Sequence, residues 1–432
     1  MHISQQIAAD AVNQVLSGRN LTIALPVALA VFPNATPQQR GAAADLSYGT
    51  LRFYGEVNAY LTRLLEKPLP DDRIYCLLLV AIYQLLYDKA EAFTVVNQAV
   101  LAVSQLKRPS AKPWAKGLVN AILRNFMRRQ VQLAADVKAS EVALYAYPQW
   151  WINKLKLQYP EYWQQMLLAG NQHPPMTLRV NVARVTIEEY LQLLARQDIA
   201  ASYLGGQAVC LLKPVPVEKI PGFSDGIVSV QDYGAQLAAP LLDVQNGMRV
   251  LDACAAPGGK TGHILELAQA ELTAMDNDAL RLQRVQSNLT RLQLSAQLLE
   301  GDAAKDDWYQ GQPFDRILAD VPCTASGIVR RHVDIKWLRR EEDVASFTAQ
   351  QAKILPNLWK LLAKGGKLLY VTCSVFNEEN QQQVNNFLSK HADAEQLALP
   401  SQVFSQSIQQ LHGQLIPSTA HDGFFYARMM KG

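Results

Sequence analysis

The chain has 432 residues and five cysteines, with 41 basic against 38 acidic side chains and a formal charge of +3. That length exceeds one ordinary domain and points to two or three, and the near-neutral balance excludes a polycationic nucleic-acid packer. An odd cysteine count without close-set pairs excludes a disulfide framework and favours a reducing compartment, and no apolar run reaches membrane-spanning length.

The opening Met1-His2-Ile3-Ser4-Gln5-Gln6 has no basic stretch leading into an apolar one, so a cytoplasmic protein is expected. Through about Met127 the pattern is helical. Val57, Tyr60, Leu61, Leu64 and Leu65, and then Leu77, Ala81 and Leu85, recur at three-and-four spacing, with Pro68, Pro70, Pro109 and Pro113 as punctuation. Leu21 to Phe32, interrupted by Pro26, predicts a core helix, and Cys76 sits in a second apolar helical run. Lys107, Arg108, Lys112, Lys116, Arg124, Arg128 and Arg129 form a single-sign run. It reads either as a solvated face or as contacts to an RNA backbone, which give salt-sensitive affinity without sequence readout.

A second part runs from Ala139 to Asp232. Tyr145, Tyr147, Trp150, Trp151, Tyr159, Tyr162 and Trp163 open it, interleaved with Lys154 and Lys156. Aromatics with lysines can stack on bases, but at near-helical spacing core packing is the stronger reading. A strand over Met176–Val182, a helix over Ile187–Arg196 and a strand over Ala208–Leu212, which holds Cys210, predict a small α+β module. Gly222 to Gly226 reads as a linker.

The third part carries the chemistry. Met248 to Asp252 reads as a buried strand, and Ala253-Cys254-Ala255-Ala256-Pro257-Gly258-Gly259 as a small-residue turn. Lys260-Thr261 then opens a helix through about Ala268. Such a turn lets a ligand approach the backbone at a helix amino end. The next strand ends in Asp276, placed to accept from ribose hydroxyls. The third, Ala296–Glu300, runs into Gly301-Asp302, placed to accept from an adenine amine. Gly259-Lys260-Thr261 imitates the end of a phosphate-binding loop, but that loop needs a glycine where Cys254 stands, and G-x-G-x-x-G is also absent. A nucleoside cofactor without phosphates, S-adenosylmethionine, fits better than ATP. Two more strands, Ile317–Asp320 and Leu368–Thr372, deliver Cys323 and Cys373 to the edge where ligands of open α/β sheets gather. Paired thiols there suggest sulfur chemistry on a substrate; the competing reading is two small buried hydrophobes. Arg330, Arg331, His332, Lys336, Trp337, Arg339 and Arg340 follow Cys323 closely and read as a phosphate clamp, with Trp337 available to neighbouring bases. Zinc-type C-x-x-C spacing is missing and the seven histidines are scattered, so no metal is expected.

Asp252 to Thr261, Asp320-Val321-Pro322-Cys323 and Thr372-Cys373-Ser374, in this order, resemble the RNA 5-methylcytosine methyltransferase family. Arg330 to Trp337 and Asp422-Gly423-Phe424-Phe425-Tyr426-Ala427 extend the match. The amino-terminal third resembles the NusB domain fused to one branch of that family. Val321, Thr324 and Val333 depart from its usual residues without removing a functional side chain. The resemblance implies three domains: a helical NusB-like RNA-binding domain (1–138), a small α+β RNA-recognition-like domain (139–232) and an α/β Rossmann-like methyltransferase domain (233–432).

It further implies S-adenosylmethionine as cofactor, held by Cys254, Ala255, Ala256, Pro257, Gly258, Gly259, Lys260, Asp276, Asp302 and Asp320. The implied substrate is a cytosine of 16S ribosomal RNA, free or in an assembly intermediate, met by a monomer. Cytosine C5 is a poor nucleophile until a thiolate adds to C6. A Pro-Cys nucleophile, as in DNA cytosine methyltransferases, would be Cys323; the RNA family implies Cys373, with Cys323 resolving the adduct. Asp320 is placed to engage N3, and Lys260 to act as a nearby cation. Another RNA such as tRNA as substrate, or a P-loop RNA-dependent ATPase, are the alternatives.

Overall fold

The computed structural model describes residues 1–105, 113–305, 307–405 and 408–432. Lys107, Arg108 and Lys112 of the basic run lie outside them. The chain divides into two units: Met1–Asn171 with Val329–Arg340, and Gln172–Ile328 with Glu341–Gly432.

The first unit is helical. Its central helix, Asp72–Tyr87, is capped by the Asp71 carboxylate on Arg73 N and is buried on every face from Cys76 to Gln84. A helix that is apolar all round belongs in the middle of a core. Ile7, Val12 and Val15 of helix His2–Leu16 join the same core, and each such buried side chain contributes about 1.5–3 kcal/mol. Cys76 is part of this packing, and burial pushes its thiol up to about 12, which makes it inert. Helix Pro37–Arg52 starts with a full capping box, Thr36 and Gln39.

Helix Leu21–Ala30 differs from expectation. Only Leu21, Ala24 and Ala28 are buried, while Ile23 and Val27 are exposed, so it lies on the unit's surface rather than in its core. The aromatic cluster packs as expected. Tyr147, Trp151 and Tyr159 are buried, and Lys156 sits 4.9 Å over the Trp163 ring while pairing with Glu141.

The run after Cys323 corrects another expectation, because Val329–Arg340 is part of the helical unit. Val333 is fully buried in its core. Helix Pro37–Arg52 ends with carbonyls that lack helical partners. Trp337 Nε1 donates to Leu51 O at 2.7 Å, and Lys336 Nζ donates to Arg52 O at 2.6 Å and Asn171 Oδ1 at 2.8 Å. Asp334 Oδ2 accepts from Leu21 N at 2.8 Å, and Arg330 is 2 % exposed, its carbonyl accepting from Arg52. Lys336 and Trp337 are therefore structural caps, not groups that grip phosphate or stack on bases. Of the earlier basic run, Lys116, Arg124, Arg128 and Arg129 are exposed on helix Pro113–Lys138.

The second unit holds two sheets. The smaller one contains β1 (Met176–Val180), β2 (Ala201–Gly205), β3 (Ala208–Leu211) and β4 (Val228–Val230), antiparallel in the order β2-β3-β1-β4. Helix Ile187–Ala195, opened by the Thr186–Glu189 capping box, packs with it. The larger sheet contains β5 (Arg249–Ala253), β6 (Glu271–Asp276), β7 (Gln297–Glu300), β8 (Phe314–Asp320), β9 (Leu362–Thr372), β10 (Ala394–Leu397), β11 (Gln410–Leu411), β12 (Gln414–Leu415) and β13 (Phe425–Lys431). Among the described residues its order is β11-β12-β13-β9-β8-β5-β6-β7, with β10 also on β13. β7, β6, β5, β8 and β9 run parallel, and β13 closes on β9 antiparallel.

The strand order reverses between β5 and β8. From β5 the chain moves outward through β6 to β7, then returns to the other side of β5. Ligand sites of such sheets lie beyond the carboxyl ends of the strands at that point. The β8–β9 register pairs Asp320 with Val371, which sets the segments carrying Cys323 and Cys373 side by side.

Candidate active site

Beyond β5 the chain makes the small-residue turn, and neighbouring groups pin it on several sides. Ala255 N donates to Met275 O at 2.8 Å and Ala256 N to Asp276 Oδ2 at 3.1 Å. Arg281 donates to Ala256 O at 3.0 Å and Asn288 to Pro257 O at 2.8 Å. Cys254 takes φ +63°, and Gly258, at φ +93°, precedes helix Gly259–Leu267. A Cβ on Gly258 would meet Val285 at 3.1 Å, so only glycine combines that φ with that approach. Burial pushes the Cys254 thiol far up, so it serves the turn as a structural residue.

Two buried carboxylates flank this turn with one oxygen each lacking a hydrogen-bond donor, Asp252 Oδ1 and Asp276 Oδ1. Asp252 Oδ2 accepts from Thr261 Oγ1 at 2.6 Å, and burial raises this carboxyl to about 7. Asp276 Oδ1 lies 3.3 Å from the Arg281 guanidinium, without hydrogen-bond geometry. A buried carboxylate oxygen without donors is costly unless a ligand supplies them. At the end of β6, hydroxyls of a ribose would do so, which fits S-adenosylmethionine. Asp302, just past β7, caps the next turn by accepting from Ala304 N at 2.9 Å.

The turn does not fit a nucleotide triphosphate. Lys260, the residue that would reach phosphates, is engaged with Asp320 at 2.6 Å. Burial pulls the Lys260 ammonium down, but the Asp320 carboxylate outweighs it and the net shift is upward. Charge on the Cys373 sulfur acts on Lys260 in the same direction. Lys260 is thus no solvated helix residue; it also sits 5.6 Å over the Phe424 ring.

The two expected thiols meet. Cys323 Sγ and Cys373 Sγ are 3.3 Å apart. Cys323 is 8 % exposed, and its thiol is held well above its ordinary value by the hydrogen bond to Cys373, by burial and by the charges of Cys373 and Glu379. Cys373 is the more accessible of the two. The Asp422-Gly423-Phe424 motif braces both loops. Gly423 N donates to Gly327 O at 2.9 Å and Gly327 N to Cys373 O at 2.8 Å, and a Cβ on Gly327 would lie 2.1 Å from Gly423 O.

Beneath the thiols lies a polar cluster that the sequence reading passed over. Glu379 is fully buried and accepts from Thr324 N at 2.8 Å, Thr324 Oγ1 at 2.5 Å, Ser374 Oγ at 2.5 Å and Gln351 Nε2 at 3.3 Å. Ser326 Oγ and Ser374 Oγ are 2.9 Å apart, and Asn380 bonds Thr372 Oγ1 at 2.5 Å and Ser374 O at 3.0 Å. The available signal was an acidic-amide triplet, Glu378-Glu379-Asn380, a few residues past a strand-end cysteine. Among the described residues no cluster of His, Cys, Asp and Glu suited to a metal appears, and no helix is long and apolar enough to cross a membrane.

Comparison with known proteins bears on the whole chain. The family model described as 16S rRNA methyltransferase RsmB/F matches residues 239–430, an RsmF/B-like ferredoxin-like domain model matches 147–218, and the NusB family model matches 2–128. Ribosomal RNA small subunit methyltransferase B of Serratia proteamaculans (strain 568) is 42% identical over 435 residues, covering 99% of this chain and 98% of that one. Its namesake from Pseudomonas syringae pv. tomato is 41% identical, covering 98% and 96%. The crystal structure of PH0851 shares the fold, with a TM-score of 0.79 at 22% identity, covering 100% of this chain and 99% of that one. A methyltransferase homolog protein from Pyrococcus horikoshii gives 0.58 at 24% identity, over 67% of this chain and 97% of its own. The helical, small α+β and α/β parts expected from the sequence are matched by the NusB, ferredoxin-like and methyltransferase models.

Proposed function

Because the chain belongs to the RsmB/F family of 16S rRNA methyltransferases, we propose that it methylates C5 of one cytosine in 16S ribosomal RNA through a covalent cysteine adduct. The observation that carries this reading is the 3.3 Å contact between Cys323 and Cys373 at the sheet edge that also holds the Lys260–Asp320 pair.

Residues 254–260, Asp276, Asp302 and Asp320 would hold S-adenosylmethionine, which would supply an electrophilic methyl. The remaining work falls to side chains. Cys373 adds to C6 as a thiolate, and the ring electrons shift toward C5, which takes the methyl. Asp320 accepts a hydrogen bond from N3 once that nitrogen has taken a proton from solvent, and the protonated ring is the better electrophile at C6. Cys323 gives up its own proton to solvent and, as the thiolate, takes the C5 proton, which it returns to solvent as the thiol. As the C5–H bond breaks, the C5=C6 double bond re-forms and the Cys373 sulfur leaves. A base stacked in a helix has to be turned out for C6 to meet a thiol. The enzyme acts in the cytoplasm, as a monomer.

The test is a denaturing gel with the purified protein, S-adenosylmethionine and 16S RNA. Cys373→Ala should abolish turnover and form no adduct, whereas Cys323→Ala should trap RNA on the protein. Trapping by Cys373→Ala would overturn the assignment. Bisulfite mapping of ribosomal RNA from cells lacking the protein should show one lost mark, restored by the native chain but not by Cys373→Ala.

A further inference from the structure

Glu379 is a fully buried carboxylate that touches no position proposed to meet substrate or cofactor. Yet its two oxygens accept from the residue after each catalytic cysteine. Oε1 takes Thr324 N at 2.8 Å, and Oε2 takes Thr324 Oγ1 at 2.5 Å and Ser374 Oγ at 2.5 Å. A third segment joins through Gln351, whose amide bridges Glu379 Oε1 at 3.3 Å and Pro322 O at 2.9 Å. The peptide of Glu379 is anchored in turn, its carbonyl accepting from Tyr370 Oη at 2.7 Å inside β9. One side chain therefore spans the β8 and β9 loops directly below the two sulfurs.

We propose that Glu379 is a positioning residue that fixes the distance between Cys373 and Cys323, so that the second thiol reaches the C5 proton while the first is bonded to C6. This rests on the cysteine roles above. C5 and C6 are adjacent ring atoms, so the two sulfurs have to stand close together, as they do at 3.3 Å. Separate loops hold such a spacing only when tied, and a displacement of about 1 Å can lower a rate by about 10²-fold. The carboxylate suits the task because each of its oxygens can take more than one donor, and charge-assisted bonds are the stronger kind. Its negative charge also helps hold the Cys323 thiol up, as expected of a group kept for proton transfer.

The span, rather than the charge, is what the proposal requires, and substitution separates them. In Glu379→Gln the amide still reaches both loops, because the Thr324 and Ser374 hydroxyls can turn from donating to accepting. Steady-state kinetics and the denaturing-gel adduct assay would be run on the native chain, Glu379→Ala, Glu379→Gln and Cys323→Ala. Glu379→Ala should lower kcat by about 10- to 100-fold, leave KM for S-adenosylmethionine within about 2-fold and increase the fraction of RNA caught as adduct. Glu379→Gln should recover kcat to within about 3-fold of native, with little adduct. Native kcat and adduct in Glu379→Ala would overturn the proposal. So would equal inactivity of the two variants, or a matching loss of cofactor affinity, which would mark a merely structural group. If Glu379→Ala is insoluble, Thr324→Ala with Ser374→Ala removes the hydroxyl ties and carries the same expectation. If Cys323→Ala traps nothing, the cysteine roles fail, and the ratio of kcat between the Ala and Gln variants still tests the tie.

Discussion

Lys260→Met would remove the ammonium from the active edge and keep the apolar stem. Its partner Asp320 lies 2.6 Å away, and the two side chains are 14% and 27% exposed. An exposed ion pair is worth about 0.2–1 kcal/mol, and truncating a buried one costs about 3–5 kcal/mol. This pair falls between, at about 2 kcal/mol, which is about 30-fold in a rate if the transition state relies on it fully. The Lys260 pKa is raised, so the pair is complete below the ordinary 10.5 and is lost only as pH climbs through the higher folded value. Measurements at neutral pH therefore report the intact pair. The assay is single-turnover adduct formation in a Cys323→Ala background, with Lys260→Met, Asp320→Asn and both together. If the two groups act as one unit, the double variant is no slower than the worse single one, and the coupling is about 2 kcal/mol. Effects that simply multiply would refute the reasoning, because the carboxylate and the ammonium would then act separately.

Asp276→Ala removes both the bond to Ala256 N and the buried oxygen without a donor, so S-adenosylmethionine affinity measured by calorimetry should fall by about 10- to 100-fold, the worth of charged hydrogen bonds. An unchanged affinity would take Asp276 out of the cofactor site. Lys336 shifts in the opposite direction from Lys260, because burial and Arg52 hold its pKa well below 10.5. The unfolded chain takes up this proton first as pH falls through 10.5, so Lys336 lowers stability progressively from there down to its folded value. Lys336→Met should flatten that part of the pH–melting curve relative to the native chain. Parallel curves would show that the lysine is not neutral in the folded state.

Features written in local order were legible. The turn from Ala253 to Gly259, the strand-end acids Asp276 and Asp302, and the two strand-end cysteines follow from periodicity and spacing, and the sheet register then brings the thiols together. The aromatic cluster at Tyr147 and Trp151 was read as core because helical spacing outweighs composition. What escaped depended on tertiary partners. Nothing near Glu379 in sequence announces Thr324 or Gln351, so its role emerges only once distant segments converge. Within the run Arg330–Arg340, Lys336 and Trp337 were misread for the converse reason. It is close to Cys323 along the chain, but its interior donors are taken up by the carbonyls of Leu51 and Arg52. Leu21–Ala30 was expected inside because it is apolar, and which of its faces is covered depends on the helices that pack against it.

The twelve residues from Val329 to Arg340 bear on how this protein can be taken apart. A chain truncated after Asn171 would leave the final carbonyls of helix Pro37–Arg52 without Lys336 and Trp337, and the niche of Val333 vacant. The helical portion is therefore not a cassette that can be excised or grafted by cutting the polypeptide at one place. Its completion waits for a strip encoded in the gene more than 150 codons downstream, so during synthesis it stays unfinished until much of the other unit has been made.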